Sequence, residues 1–125
     1  MSVSIDMLSD MKDTKSVQII EEKIQSLKAQ LLALGPMRPG SLSPQYNVCG
    51  KPGCRCKDPQ NPRRHGPYNQ LNYVYQGKKK SQFIRRQNLK AVRAELATYK
   101  KFRKLTAHWI GLALQAAQLR LKSAV

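Results

Sequence analysis

Between Gly35 and Pro67 regular secondary structure is not expected. All seven prolines of the chain and five of its seven glycines fall in this stretch. Proline removes a backbone donor and fixes φ, and glycine carries the largest entropic cost of ordering. So long an irregular segment is disordered unless something internal staples it. All three cysteines lie inside it. The fold of these 125 residues therefore turns on whether those thiols close a site.

The segment reads Cys49-Gly-Lys-Pro-Gly-Cys54-Arg-Cys56, with His65 nine positions later. Three thiols and one imidazole within 17 residues make a Cys3His set, the tetrahedral complement of a structural Zn2+. Gly50, Pro52 and Gly53 let the backbone turn tightly around an ion. Lys51 and Arg55 sit among the thiols, where positive charge favours thiolate. The odd number of cysteines argues against a closed set of disulfides, and the Cys54–Cys56 spacing is tighter than the usual C-x2-C knuckle. The expected metal ligands are Cys49, Cys54, Cys56 and His65. Water or His108, the only other histidine, are alternatives for the fourth position. His108 lies beside Trp109 on the apolar side of the last helical pattern and reads as a packing residue. The plain alternative is that the thiols are small buried hydrophobes and His65 caps a turn.

Charge is distributed unevenly. Residues 1–37 have a net charge of −1, whereas residues 38–125 carry 19 Lys and Arg against only Asp58 and Glu95. Such asymmetry is the footprint of a polyanionic partner. A few surplus cations would serve solubility, but this many repel one another unless neutralised. Arg55, Lys57, Arg63 and Arg64, with Lys51, form one basic cluster. Lys78, Lys79 and Lys80 form a second, and Arg85, Arg86, Lys90 and Arg93 extend the basic surface. These are the expected contacts to a nucleic-acid phosphate backbone, with DNA preferred over RNA. Tyr68, Tyr73 and Tyr75 interleave with them, and either pack on the core or stack on bases.

Helical periodicity flanks the irregular segment. After a polar leader over residues 1–15, Val17, Ile20, Ile24, Leu27, Leu31 and Leu34 form a coiled-coil-like stripe over 16–34. It covers this protein's own core or makes a homodimer seam. Leu89, Val92, Leu96 and Tyr99, then Phe102, Leu105, Trp109, Leu112, Ala116 and Leu119, mark a long helix over 87–122 with Gly111 as its weak point. Leu71, Tyr73 and Tyr75 alternate with Gln70, Asn72 and Val74 ahead of Gly77, and Ser81 to Ile84 return, which is a β-hairpin pattern. The expected fold is α+β: an N-terminal helix, a zinc-stapled loop and hairpin over 35–86, and a long C-terminal helix.

Catalysis is not expected. Two-metal nuclease chemistry needs clustered carboxylates, and the basic part has two, 37 residues apart. No H-x-E with P-C-x-x-C deaminase set occurs. No apolar run is long enough to span a membrane, and MSVSIDMLSDMKDTK lacks the apolar core of a secretory signal, so a cytoplasmic protein with no membrane partner is expected.

Pro36-Met-Arg-Pro-Gly-Ser-Leu-Ser-Pro-Gln-Tyr46, the string from Cys49 to Cys56, His65-Gly-Pro-Tyr68, Gly77-Lys78 and Tyr99-Lys-Lys-Phe102 with Leu105 together resemble a family of small basic bacterial proteins found with insertion sequences and other mobile elements. The resemblance covers roughly residues 36–120 and leaves out the N-terminal helix. It implies zinc binding and a mobile-element context, with a transposition-related protein as a further partner. Asn69 stands where the family usually carries a second aromatic. The expected function is that of a small zinc-binding, nucleic-acid-binding accessory protein. The alternative is a helical adaptor for an acidic partner such as a transposase or regulator.

Overall fold

A computed structural model describes the backbone of residues 5–123 and the side chains of residues 12–122. The elements run α1 (Ile5–Leu32), β1 (Ser41–Asn47), β2 (His65–Tyr75), β3 (Lys78–Ile84) and α2 (Leu89–Ser123), with single 3-10 turns at Arg55–Lys57 and Arg86–Asn88. The chain divides into two compact units. One joins Met1–Gly35 to Lys100–Val125, and the other is Pro36–Tyr99.

The first unit is a helix pair. Ile24 and Leu27 of α1 are buried with Leu105 and Leu112 of α2, flanked by Ile20, Leu31, Leu34 and Trp109. The N-terminal stripe is thus filled from within its own chain. Ala116 is fully buried, and its small side chain suits close helix packing. At the rim, Arg120 donates to Glu21 and the Lys28 ammonium stands 5.1 Å from the Trp109 ring centre. α1 begins at Ile5 rather than Ser16, so helix occupies most of the stretch assigned to a polar leader; residues 1–4 lie outside the described residues. α2 runs through Gly111 without a break. His108 is exposed, which corrects its reading as a packing residue: it sits one position off the buried stripe.

The second unit holds a three-stranded antiparallel sheet in the order β1-β2-β3. β1 is the main departure from expectation, since it forms inside the stretch read as irregular. Pro44 is tolerated there because β1 is an edge strand, where a missing N–H costs no ladder bond. Leu42 pairs with Leu71 and Pro44 with Asn69. β2 and β3 turn at Gln76 and Gly77, whose φ values of 50° and 75° are those of a two-residue type I′ hairpin. Side chains directly opposite share a face. Leu71, Tyr73 and Tyr75 therefore share one face with Gln82, Lys80 and Lys78. Leu71 is fully buried, as is nearly all of Val92 and Cys56. The other face is mixed, with a polar network in which the Asn72 amide donates to Ser43 Oγ at 3.2 Å and Ser81 Oγ donates to Asn72 Oδ1 at 2.8 Å, and with Tyr68, Val74 and Phe83 exposed beside it. Within this unit Arg38 ties the segment before β1 to the first turns of α2, its N–H donating to the Glu95 carbonyl at 3.1 Å and its guanidinium lying 3.6 Å from the Glu95 carboxylate.

Candidate metal centre

The loop from Val48 to Arg64 leaves β1 and returns as β2. Asn47 pairs with His65 at its base. Across it, Lys51-Pro52-Gly53-Cys54 makes a β-turn closed by the Cys54 N–H on the Lys51 carbonyl, with Gly53 at φ +80°. Proline at the second place and a positive φ at the third are the marks of a type II turn. Cys54 then opens the Arg55–Lys57 turn, accepting the Lys57 N–H on its carbonyl at 2.9 Å. The Arg63 N–H donates to the Arg55 carbonyl at 3.0 Å, and the Gln60 N–H to Asp58 Oδ1 at 3.0 Å, folding the rest of the loop back towards His65.

These turns bring Cys49, Cys54, Cys56 and His65 together. Their ligand atoms all lie within 4.8 Å of one another. Cys49 Sγ is 3.5 Å from Cys56 Sγ, and Cys54 Sγ is 3.2 Å from His65 Nε2. The thiols are free. Cys56 is buried and the other three residues of the cluster are half-buried. His65 is the imidazole of the set; His108 is not in it.

The electrostatics favour an ion. The Cys56 backbone N–H, helped by the Cys49 and Cys56 thiols and the His65 ring, lowers the Cys54 thiol from 9.0 to about 6. Burial pushes the Cys56 thiol up. One sulfur is thus held as thiolate while another resists ionising beside it. A bound cation removes that opposition, since a coordinated thiol is deprotonated outright. Thiolate and imidazole suit thiophilic transition ions rather than magnesium or calcium, so the four residues can hold one such ion.

Gly66 fixes where His65, the last residue of the cluster, sits. It has φ +131°, and a Cβ there would stand 2.6 Å from the Gln45 carbonyl oxygen, a backbone atom that cannot swing away. Gly66→Ala is expected to destabilise the protein by about 2 kcal/mol or more, through steric conflict and left-handed strain, and to weaken metal retention. Thermal melts and a chelator competition measure both. An unchanged melt and unchanged retention would remove the role given to this residue.

The cationic residues named from the sequence are all exposed: Lys51, Arg55, Lys57, Arg63 and Arg64 on the loop, Lys78, Lys79 and Lys80 along β3, and Arg85, Arg86, Lys90 and Arg93 from the end of β3 into α2. Of the interleaved tyrosines, Tyr73 is half-buried and Tyr75 exposed. Tyr68 faces away from Leu71, its ring meeting Phe83 edge-on at 6.5 Å. Phe83, 61% exposed, is legible in the sequence only as part of the return strand and not as a candidate contact. The signal available was parity: Tyr68 stands an odd number of residues from Leu71, which places it on the opposite face of a strand.

No described helix is long and apolar enough to cross a membrane. No curated protein and no solved structure matches the chain. One family does match, described as "Domain of unknown function (DUF6788)", over residues 17–94. The match takes in much of α1, which the motif resemblance had left out, together with the whole sheet and all four cluster residues, and it ends inside α2 before Tyr99. It spans well over half of the sequence, and the chain belongs to the DUF6788 family.

Proposed function

We propose that the protein is a zinc-stapled nucleic-acid-binding module, acting by binding rather than by catalysis. The carrying observation is the convergence of Cys49, Cys54, Cys56 and His65 on a loop whose cations are all turned to solvent. Tetrahedral zinc separates its ligands by about 3.8 Å between sulfurs and about 3.5 Å between sulfur and nitrogen. The 3.5 Å and 3.2 Å separations here fit that frame after small relaxation. Four protein ligands leave no open position for an activated water, which favours a structural ion over a catalytic one. The role of the ion is to hold the loop so that its cations, and those of β3 and the start of α2, meet phosphates from fixed positions. The family resemblance supports an accessory role in a mobile element, and a mobile element makes DNA the favoured polyanion. Fluorescence anisotropy of a labelled duplex at low salt, on protein assayed for zinc, tests the reading. Tight binding lost on chelation supports it, and no binding by the zinc-loaded protein overturns it.

A second reading has its own observation. Ile110, Leu114 and Leu121 of α2 are more than half exposed at steps of four and seven, which is a helical stripe. Residues 100–122 hold Lys100, Lys101, Arg103, Lys104, Arg120 and Lys122 with no carboxylate. An acidic helical partner, such as a transposition-related protein, would complement that surface, whereas like charge opposes a second copy. Partners that survive nuclease treatment in a pull-down favour this adaptor reading. A dimer mass by light scattering, lost in Leu114→Glu, would assign the stripe to a homodimer instead.

A further inference from the structure

The first residues of β2, the end of β3 and the first turns of α2 enclose an open groove of about 760 Å³ in the sheet unit. It begins immediately after the cluster residue His65, with Pro67 in its wall. Two aromatic residues and three arginines line it: Tyr68 and Phe83, with Arg85, Arg86 and Arg93. No carboxylate lines it. The two rings meet edge-on, with 77° between their planes, so they are not stacked on each other. Phe83 is 61% and Tyr68 45% exposed, a large apolar area to leave in water beside three cations.

We propose that this groove takes an unpaired base of a single-stranded nucleic acid, with the flanking phosphates held by Arg85, Arg86 and Arg93. The proposal rests on the nucleic-acid reading and narrows its substrate. Phosphate binding alone calls for cations and has no use for exposed aromatic faces. Stacking supplies that use, because every base presents a π-face and single strands leave it free. A duplex hides the same faces inside its stack, so it reaches the cations but not the rings. An acidic peptide would likewise satisfy the arginines and leave Tyr68 and Phe83 without a planar partner. Arginine suits the site because its planar fork both grips phosphate and lies flat on a ring.

The full-length, zinc-loaded protein is titrated with a single strand of about 12 nucleotides, inside the usual span of such grooves, carrying 2-aminopurine at its centre, and with a duplex of equal length. Phe83 is the residue to change, because it is exposed on an edge strand and its truncation costs little stability. The expected result is quenching of 2-aminopurine on binding. Phe83→Ala should lower single-strand affinity about tenfold and abolish the quenching, with duplex affinity within about twofold, and Phe83→Trp should restore both. Zinc content and circular dichroism of the variants show that the fold is kept. If both nucleic acids bind, no quenching occurs and Phe83→Ala changes neither affinity, the groove proposal fails while the phosphate-binding reading stands. If neither binds at low salt, both fail. If polyglutamate binds in their place and loses affinity in Phe83→Ala, the groove belongs to an acidic protein.

Discussion

Removing the proposed zinc is expected to melt residues 48–64 and leave the helix pair folded. The loop has little else to hold it. Of its side chains only Cys56 is buried. Five hydrogen bonds from its own N–H groups lie within it, each worth about 1 kcal/mol net. Ordering its 17 residues, Val48 to Arg64, costs at least about 1 kcal/mol each in backbone entropy. The shortfall is therefore at least about 12 kcal/mol, of the order of the apparent binding energy of a structural zinc, about 10–16 kcal/mol. Hydrogen exchange read by mass spectrometry checks this. With a chelator, or in Cys56→Ser, amides between 48 and 64 should exchange like those of an unstructured peptide, and the first pairs of the β1–β2 ladder beyond Asn47 and His65 should lose protection. Helical signal from the Ile24, Leu27, Leu105 and Leu112 packing should persist. Lys57→Ala, next to the same cysteine but not a ligand, should behave as the parent. One zinc per chain by elemental analysis is the companion result. A folded sample without metal, or exchange indifferent to chelation, would remove the staple.

Why the cluster could be read from the sequence, and the groove could not, follows from distance along the chain. Cys49 to His65 is one loop, and ligand chemistry is written in residue type and spacing alone. The helices were legible for a similar reason: Ile20, Ile24, Leu27, Leu31 and Leu34 repeat at helical steps, and their partners on α2 do the same. The heptad pattern weakens before Ser16, so the early start of α1 at Ile5 was not visible in it. β1 stayed hidden because the alternation of Ser41-Leu42-Ser43-Pro44-Gln45-Tyr46 has only two large apolar side chains and a proline between them, in a stretch dominated by proline and glycine. Its pairing with β2, rather than its own composition, makes it a strand. The groove joins Tyr68 to Arg93 through sheet register and the placement of α2, neither of which any local pattern records. Glu95 belongs with these: isolated in sequence as one of two acids in the basic part, it proves to be the partner of Arg38.

Replacing Lys78, Lys79 and Lys80 together by alanine is expected to flatten the salt dependence of DNA binding. Each phosphate contact releases condensed counterions, so the logarithm of the binding constant falls against the logarithm of salt concentration with a slope of about −0.9 per contact on duplex DNA. Three lost contacts make the slope shallower by about 2.7, and affinity at 0.1 M salt should drop by about a hundredfold or more, with parent and variant converging near 1 M. The competing explanation is built into the fold. β3 is one of the two edge strands of the sheet, and lysines on an edge strand block pairing with a second chain. All three are exposed there, Lys78 and Lys80 across from Tyr75 and Tyr73 and Lys79 across from Val74. The slope separates the two roles. Edge guards removed without loss of phosphate contact leave the two salt lines parallel and raise self-association, seen by light scattering. Phosphate contacts removed change the slope at every protein concentration. Parallel lines would therefore take the β3 lysines out of the binding surface and leave the loop and α2 cations to account for whatever affinity remains.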